Sequence, residues 1–137
     1  MPRRSRKPVR PAKCPCGSGE TYAACCGRFH TGAAAAPTAE ALMRSRYSAF
    51  AVGDEAYLLR TWHPDTRPDR LDLAADGRTW TGLDILDTTG GTPLHTTGTV
   101  RFRASYTDAD GPGSQTENSV FERLGGAWFY VDALGFE

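Results

Sequence analysis

Between residues 38 and 52 the apolar positions Leu42, Met43, Tyr47 and Phe50 recur at the 3.6-residue spacing of a helix, behind Thr38 as N-cap and ahead of Gly53 as a stop. Asp54 is placed to cap a second, shorter helix through "EAYLLRTW", which Pro64 ends. The stretch to residue 78 is rich in Asp and Arg, holds Pro68 and Gly77, and predicts a loop with one helical turn. From Trp80 the period falls to two. "TWTGLDIL" predicts one strand and "TVRFRASY" another, with Val100, Phe102, Ala104 and Tyr106 on one face and Arg101, Arg103 and Ser105 on the other. "TDADGPGSQ" is turn chemistry, "TTGGTPLHTTG" with His95 a loop or hairpin, and "ENSVFERLGGAWFYVD" a hairpin closed by Gly125-Gly126. A two-residue turn there pairs Arg123 with Trp128, Phe121 with Tyr130 and Ser119 with Asp132 on one face. On the other it pairs Val120 with Val131 and Glu122 with Phe129. Both faces are partly apolar. The sheet therefore needs helices on one side and either a curl around a cavity or a second copy of the chain on the other.

All four cysteines fall ahead of this region, in "CPCGSGETYAACC". The spacing is Cys14-x-Cys16, eight residues, then Cys25-Cys26, and a tight turn with a returning segment can bring four thiolates to one tetrahedral zinc ion. Gly17 and Gly19 permit the positive φ of such a turn, and Ser18 is placed to cap a short helix through "GETYAAC". Lys13 and Arg28 can offset the net negative charge of a four-thiolate site. His30 is the alternative ligand should one thiol not take part, and two disulfides are the alternative to a metal, although adjacent Cys25 and Cys26 are poorly placed to bridge each other.

Charge divides the chain again. Of its 16 Lys and Arg residues, six (Arg3, Arg4, Arg6, Lys7, Arg10 and Lys13) precede the first acid, Glu20, which leaves ten against all 16 acids in the body. The arm over 1–13, broken by Pro2, Pro8 and Pro11, reads as disordered, and its charge suits a ribosomal, nucleic-acid or anionic surface. Nucleic acid is the weaker of these partners, since Tyr22 and Phe29 are the sole nearby rings for base stacking. No apolar run reaches the roughly 18 residues of a membrane span, and clustered cysteines in a reducing cytoplasm more often hold metal than bridge.

"CPCGSGETYAACCG" resembles the SEC-C motif, known from the C-terminal tail of the SecA translocase ATPase, where the last ligand is usually His and here is Cys26. The resemblance implies zinc held by Cys14, Cys16, Cys25 and Cys26, and a contact surface for proteins, since in SecA the motif meets the chaperone SecB and the ribosome. The helices followed by an antiparallel meander are similar to the nuclear transport factor 2-like fold, a cone of curved sheet over helices. "LMRSRYSAF", "LLRTWHP", "GTVRFRASYTD" and "SVFERLGGAWFYVD" then look like the YchJ family over about residues 14–133. That resemblance implies an α+β chain: basic arm 1–13, knuckle 14–30, linker 31–37 and cone-shaped domain 38–137. It implies no established reaction.

Within the cone, Trp62 and His63 beside Pro64 are placed to line its mouth, with Arg44, Arg46 and Tyr47 on the first helix and Tyr106 and Glu122 on strands completing a polar pocket. A histidine with a carboxylate partner can serve as a general base. The alternatives are Trp62 as a core anchor, His63 as a helix-end cap, and arginines paired with acids of the body. The sequence holds no P-loop, nucleophile elbow or His-Glu-x-x-His helix, so no catalytic residue is assigned. Two functions follow as expectations: a cytoplasmic zinc-binding adaptor for a protein or ribosome surface, or a small-molecule binder or enzyme using the cone near His63.

Overall fold

The computed structural model describes residues 13–73 and 77–136, with side chains as far as Leu134. The basic arm, apart from Lys13, lies outside the described residues. Three helices, α1 (Cys26–His30), α2 (Ala39–Val52) and α3 (Glu55–Arg60), precede four strands, β1 (Thr79–Gly90), β2 (Thr97–Asp108), β3 (Gly111–Leu124) and β4 (Ala127–Phe136). The strands form one antiparallel meander in the order β1-β2-β3-β4. The fold is α+β, a curved sheet over helices with a cysteine knuckle in front.

The caps of the two longer helices are those expected. Extended Thr38 accepts a hydrogen bond from the Ala41 N–H at 3.0 Å, Asp54 accepts from the Tyr57 N–H at 3.0 Å, and Gly53 closes α2 in the left-handed region. The helix expected through "GETYAAC" is replaced by turns, and α1 begins only at Cys26. Ser18 caps no helix because its hydroxyl is committed within the turn, accepting from the Glu20 N–H and donating to the Cys25 sulfur, both at 3.2 Å. The second expected helix stops at Arg60 rather than running through Trp62, because residues 61–63 pair with β4 instead. The His63 N–H donates to the Tyr130 carbonyl at 2.7 Å and the Tyr130 N–H to the Thr61 carbonyl at 2.9 Å.

In the sheet, the turn between β2 and β3 is only Ala109-Asp110. The ladder runs to the Asp108–Gly111 pair and Asp108 accepts from the Asp110 N–H, so "GPGSQ" is strand and not turn. Gly125 and Gly126, at φ +58° and +85°, close the last hairpin with Leu124 opposite Ala127. The expected pairs Arg123–Trp128, Phe121–Tyr130 and Glu122–Phe129 are present. Beyond them an extra residue at Val131 shifts the register, so Val120 meets Asp132 and Ser119 meets Ala133. A second irregularity follows at Leu134, and two more interrupt β1 at Thr81 and Leu86. Bulges bend the strand that carries them and raise its twist, and these four lie on the two outer strands of the meander.

On the concave face Val100, Phe102, Ala104, Phe121 and Trp128 meet Leu42, Met43, Tyr47 and Ala49 of α2 in the main core. The other side of α2 is buried too, since Ser45 and Ser48 are fully inaccessible. That side is covered by α3 and the knuckle: Ser45 shares a hydrogen bond with the Tyr57 hydroxyl at 2.7 Å, and Ser48 meets the Cys14 sulfur at 3.4 Å. Among the described residues no helix is long and apolar enough to cross a membrane.

Because Thr38 supplies the oxygen for an otherwise orphan N–H, Thr38→Ala is expected to lower stability by about 1 kcal/mol. A urea titration checks it: the midpoint falls while the slope stays unchanged.

Candidate functional site

The knuckle is a loop closed on itself. Lys13 pairs with Thr21, the Cys14 N–H donates to the Glu20 carbonyl at 2.9 Å, and the Gly17 N–H returns to the Cys14 carbonyl at 3.2 Å. Gly17 and Gly19, at φ +83° and +88°, make the reversal. The returning segment is gathered at one acceptor: the N–H groups of Cys25 and Gly27 both donate to the Tyr22 carbonyl, at 3.1 and 2.8 Å.

These contacts bring the sulfurs of Cys14, Cys16, Cys25 and Cys26 within 4.8 Å of one another, with three of the four residues buried. Cys16 and Cys25 are 3.6 Å apart at sulfur, and Cys25 and Cys26 are 4.0 Å apart. Four thiolates bound at about 2.3 Å to one tetrahedral ion would lie about 3.8 Å apart, so the donor set fits a single metal ion. All four cysteines are free. Crowding splits their acidities: hydrogen bonds from the Cys16 and then the Cys26 thiol hold Cys14 well below the usual range, while Cys26 is pushed up by Cys14, by Cys16 and by burial.

The helices fix this loop from behind. Arg44 donates through Nη1 to the Cys16 carbonyl at 2.9 Å and through Nε to Glu40 at 3.0 Å. Lys13 and Arg28, expected to offset sulfur charge, donate to the carbonyls of Gly19 and Cys25. His30 has both ring nitrogens engaged, with Nε2 donating to the Ser45 carbonyl at 2.8 Å and Nδ1 accepting from the Tyr22 hydroxyl at 2.5 Å. It braces the knuckle against α2 and stands outside the four-sulfur group. Tyr22 and Phe29 are 8% and 6% exposed, so neither ring is available for base stacking.

The YchJ middle-domain model, described as "YchJ, middle NTF2-like domain", matches residues 38–133, and the SEC-C motif matches residues 10–28. The chain belongs to the YchJ-like, UPF0225 family. A UPF0225 protein of Streptomyces coelicolor is 66% identical over 119 residues, which cover 87% of this chain and 92% of that one. One from Deinococcus radiodurans is 52% identical over 127 residues, covering 92% and 90%. The solution structure of a SEC-C motif containing protein from Rhodopseudomonas palustris superposes with a TM-score of 0.79 at 32% identity, over 90% of this chain and 98% of that one. A crystal structure of a SEC-C motif containing protein from Psychrobacter arcticus gives 0.72 at 28% identity, over 87% and 80%.

In this UPF0225 chain the residues expected to form one pocket are divided. A cavity of about 270 Å³ lies between α2 and the concave face, and of the expected set Tyr47, Trp62 and Arg46 line it. Arg44 does not, being turned to the knuckle. His63 and Glu122 do not either: Glu122 alternates with Phe121 and points to the convex face, where its Oε1 meets His63 Nε2 at 3.0 Å. His63 Nδ1 accepts from the Asp65 N–H at 3.0 Å, so the ring closes the turn after residues 61–63. Tyr106 is on the concave face, stacked edge-on against Trp80 with the Arg78 guanidinium 4.0 Å from its centroid, and is outside the lining set. The cavity instead holds Glu117, which strand alternation from Phe121 and Ser119 places on the concave face.

Burial pushes the Tyr47 phenol up to about 12, burial also raises Tyr57, and burial followed by the nearby Glu117 charge raises Tyr130. In the unfolded chain these phenols lose their protons near pH 10, while the folded chain retains them. Above about pH 10 the unfolded state binds fewer protons, so stability falls as pH rises towards 12. Spectrophotometric titration is expected to show these three tyrosines ionising above pH 10, together with loss of the fold.

Proposed function

We propose that the chain is a cytoplasmic adaptor whose four cysteines hold one structural zinc ion and whose knuckle presents a docking face to a protein or ribosomal surface. The observation that carries the metal reading is the four-sulfur group, every member within 4.8 Å of the others. Sulfur-only donors at tetrahedral spacing suit zinc, and four protein ligands leave no coordination position for a substrate. The thiol protons shared among Cys14, Cys16 and Cys26 are what the ion displaces, so binding couples to pH and to folding.

The docking reading is supported by how the knuckle is mounted. Its back is buried on α2, while residues 17–21, 23 and 24 form an exposed tip. That tip holds no large apolar side chain, and its partner is accordingly recognised through backbone and small polar groups. The burial of Tyr22 and Phe29 favours a protein surface over single-stranded nucleic acid.

Native mass spectrometry of the full chain, alone and with chelator, tests the metal: one zinc per chain is expected, with a lower melting temperature after its removal. Cys25→Ser with Cys26→Ser is expected to lose the ion; unchanged metal content would overturn the assignment. A tip variant, Glu20→Lys with Ala24→Arg, is expected to keep zinc and melting temperature but to lose co-sedimentation with ribosomes or capture of the partner. Retention of both by that variant would remove the docking reading and leave the metal site standing.

A further inference from the structure

The cavity under the sheet contains two opposite charges that are each almost fully buried and do not touch. Arg46 is 4% exposed and Glu117 is 9% exposed, both line the chamber, and no ion pair within 4 Å joins them among the described residues. Retaining one buried charge is costly, and holding two apart across a gap forgoes the direct contact that would offset the cost.

Each charge is anchored from behind. Arg46 spends Nη1 on the Leu58 carbonyl and the Thr61 hydroxyl, both at 2.7 Å, with its guanidinium lying 4.7 Å from the Tyr130 ring centroid and 5.1 Å from that of Trp62. Burial lowers it to about 10, which leaves it cationic at neutral pH. Its Nε and Nη2 groups make no hydrogen bond among the described residues. One carboxylate oxygen of Glu117 is taken by the Ser119 hydroxyl, which holds the group in place. Beside them the indole N–H of Trp62, also a lining residue, is buried with no hydrogen-bond partner among the described residues. Native interiors rarely leave such a donor unpaired.

Of the rest of the lining, Arg78 donates to the Gln115 amide oxygen at 3.1 Å, and Tyr47, Phe50, Trp80 and Phe102 form flat, apolar walls, with small Ala104 leaving room between them. We infer that this chamber binds a small, neutral, planar ring bearing a lactam edge, one carbonyl acceptor beside one N–H donor. The carbonyl answers the Arg46 and Trp62 donors, the N–H answers Glu117, and the ring fills the space between the aromatic walls. Neutrality follows because the ligand meets Arg46 and Glu117 at once, and a net charge of either sign would be repelled by one of them. A zwitterion would shed two full hydration shells to enter, whereas a lactam sheds the weaker hydration of an amide. The volume, about 270 Å³, is just below the usual range of small-molecule sites and suits one or two fused rings.

The probe is 2-quinolone, titrated into the full zinc-loaded chain and followed by tryptophan fluorescence and ligand-observed NMR, beside its N-methyl analogue and L-phenylalanine. Saturable binding of 2-quinolone is expected, with the N-methyl analogue weaker by about tenfold because it leaves Glu117 without a donor. Glu117→Gln is expected to lower affinity by a similar factor, about tenfold, at unchanged zinc content. Phe50→Ala, at a position 37% exposed, is expected to weaken binding without unfolding the chain. No binding of 2-quinolone, equal binding of its N-methyl analogue, or preference for L-phenylalanine would each overturn the inference. The comparison of the two quinolones needs no variant, so it decides the matter even if Glu117→Gln fails to fold. The cavity is separate from the thiols, so neither result bears on the metal.

Discussion

Helix α2 is wedged between the concave sheet on one side and α3 with the knuckle on the other, and the remaining architecture is arranged around that double burial. A helix buried on two sides, with Phe50 and Ala51 left exposed near its end, is not amphipathic in the ordinary sense. Its second face uses small, hydrogen-bonded polar side chains: Ser45 and Ser48 are fully inaccessible and let neighbouring backbone approach closely. Each hydroxyl there has a partner, Tyr57 for Ser45 and the Cys14 sulfur for Ser48. The two arginines divide the work, Arg44 reaching forward to the Cys16 carbonyl and Arg46 reaching back beneath Trp62. A satisfied buried polar group contributes about 1 kcal/mol, whereas one left unpaired costs about 1–3 kcal/mol, so this face tolerates substitution poorly.

The same wedge ties the knuckle to the cone. Cys14, Cys16 and Cys26 form a small cluster with Tyr22 that rests on Val52 of α2 and Leu83 of β1. His30 is bonded to both the knuckle and α2, and Arg60 of α3 donates to the Phe29 carbonyl at 3.0 Å. The segment read as a linker contributes Ala36 to the main core, while the Pro37 carbonyl accepts from the Trp128 indole at 3.2 Å. Energy from an ion held by these sulfurs would therefore reach α2 as well as the loop that carries them.

Local chemistry made much of this legible in the sequence. Thr38, Asp54 and Gly53 announce their caps, the alternation from Val100 to Tyr106 announces a face, and Gly125-Gly126 announces a turn. Cysteine spacing made the four-sulfur group legible too. What the sequence hid depends on contacts between distant segments. Val131 looks like an ordinary member of an alternating strand, and only its pairing with β3 shows it to be the extra residue. Ser18 looks like a helix cap until the Cys25 sulfur claims it. His63 and Glu122 do meet, but on the convex face, because strand parity from Phe121 sends Glu122 outward. Glu117, the first residue of the expected hairpin, is within reach of the same parity argument, but nothing in the sequence marks it as facing Arg46 across a cavity.

Residues 61–63 lie alongside β4, with Trp62 bridged to Tyr130 in parallel fashion. A meander has two outer strands whose unpaired amides invite other chains to add on, which is how sheets polymerise. Here the β4 side carries a short fifth segment over part of its length, and the β1 side is interrupted by irregularities at Thr81 and Leu86. The residue that covers part of the β4 edge, Trp62, is thus also one that lines the chamber and lies over the Arg46 guanidinium.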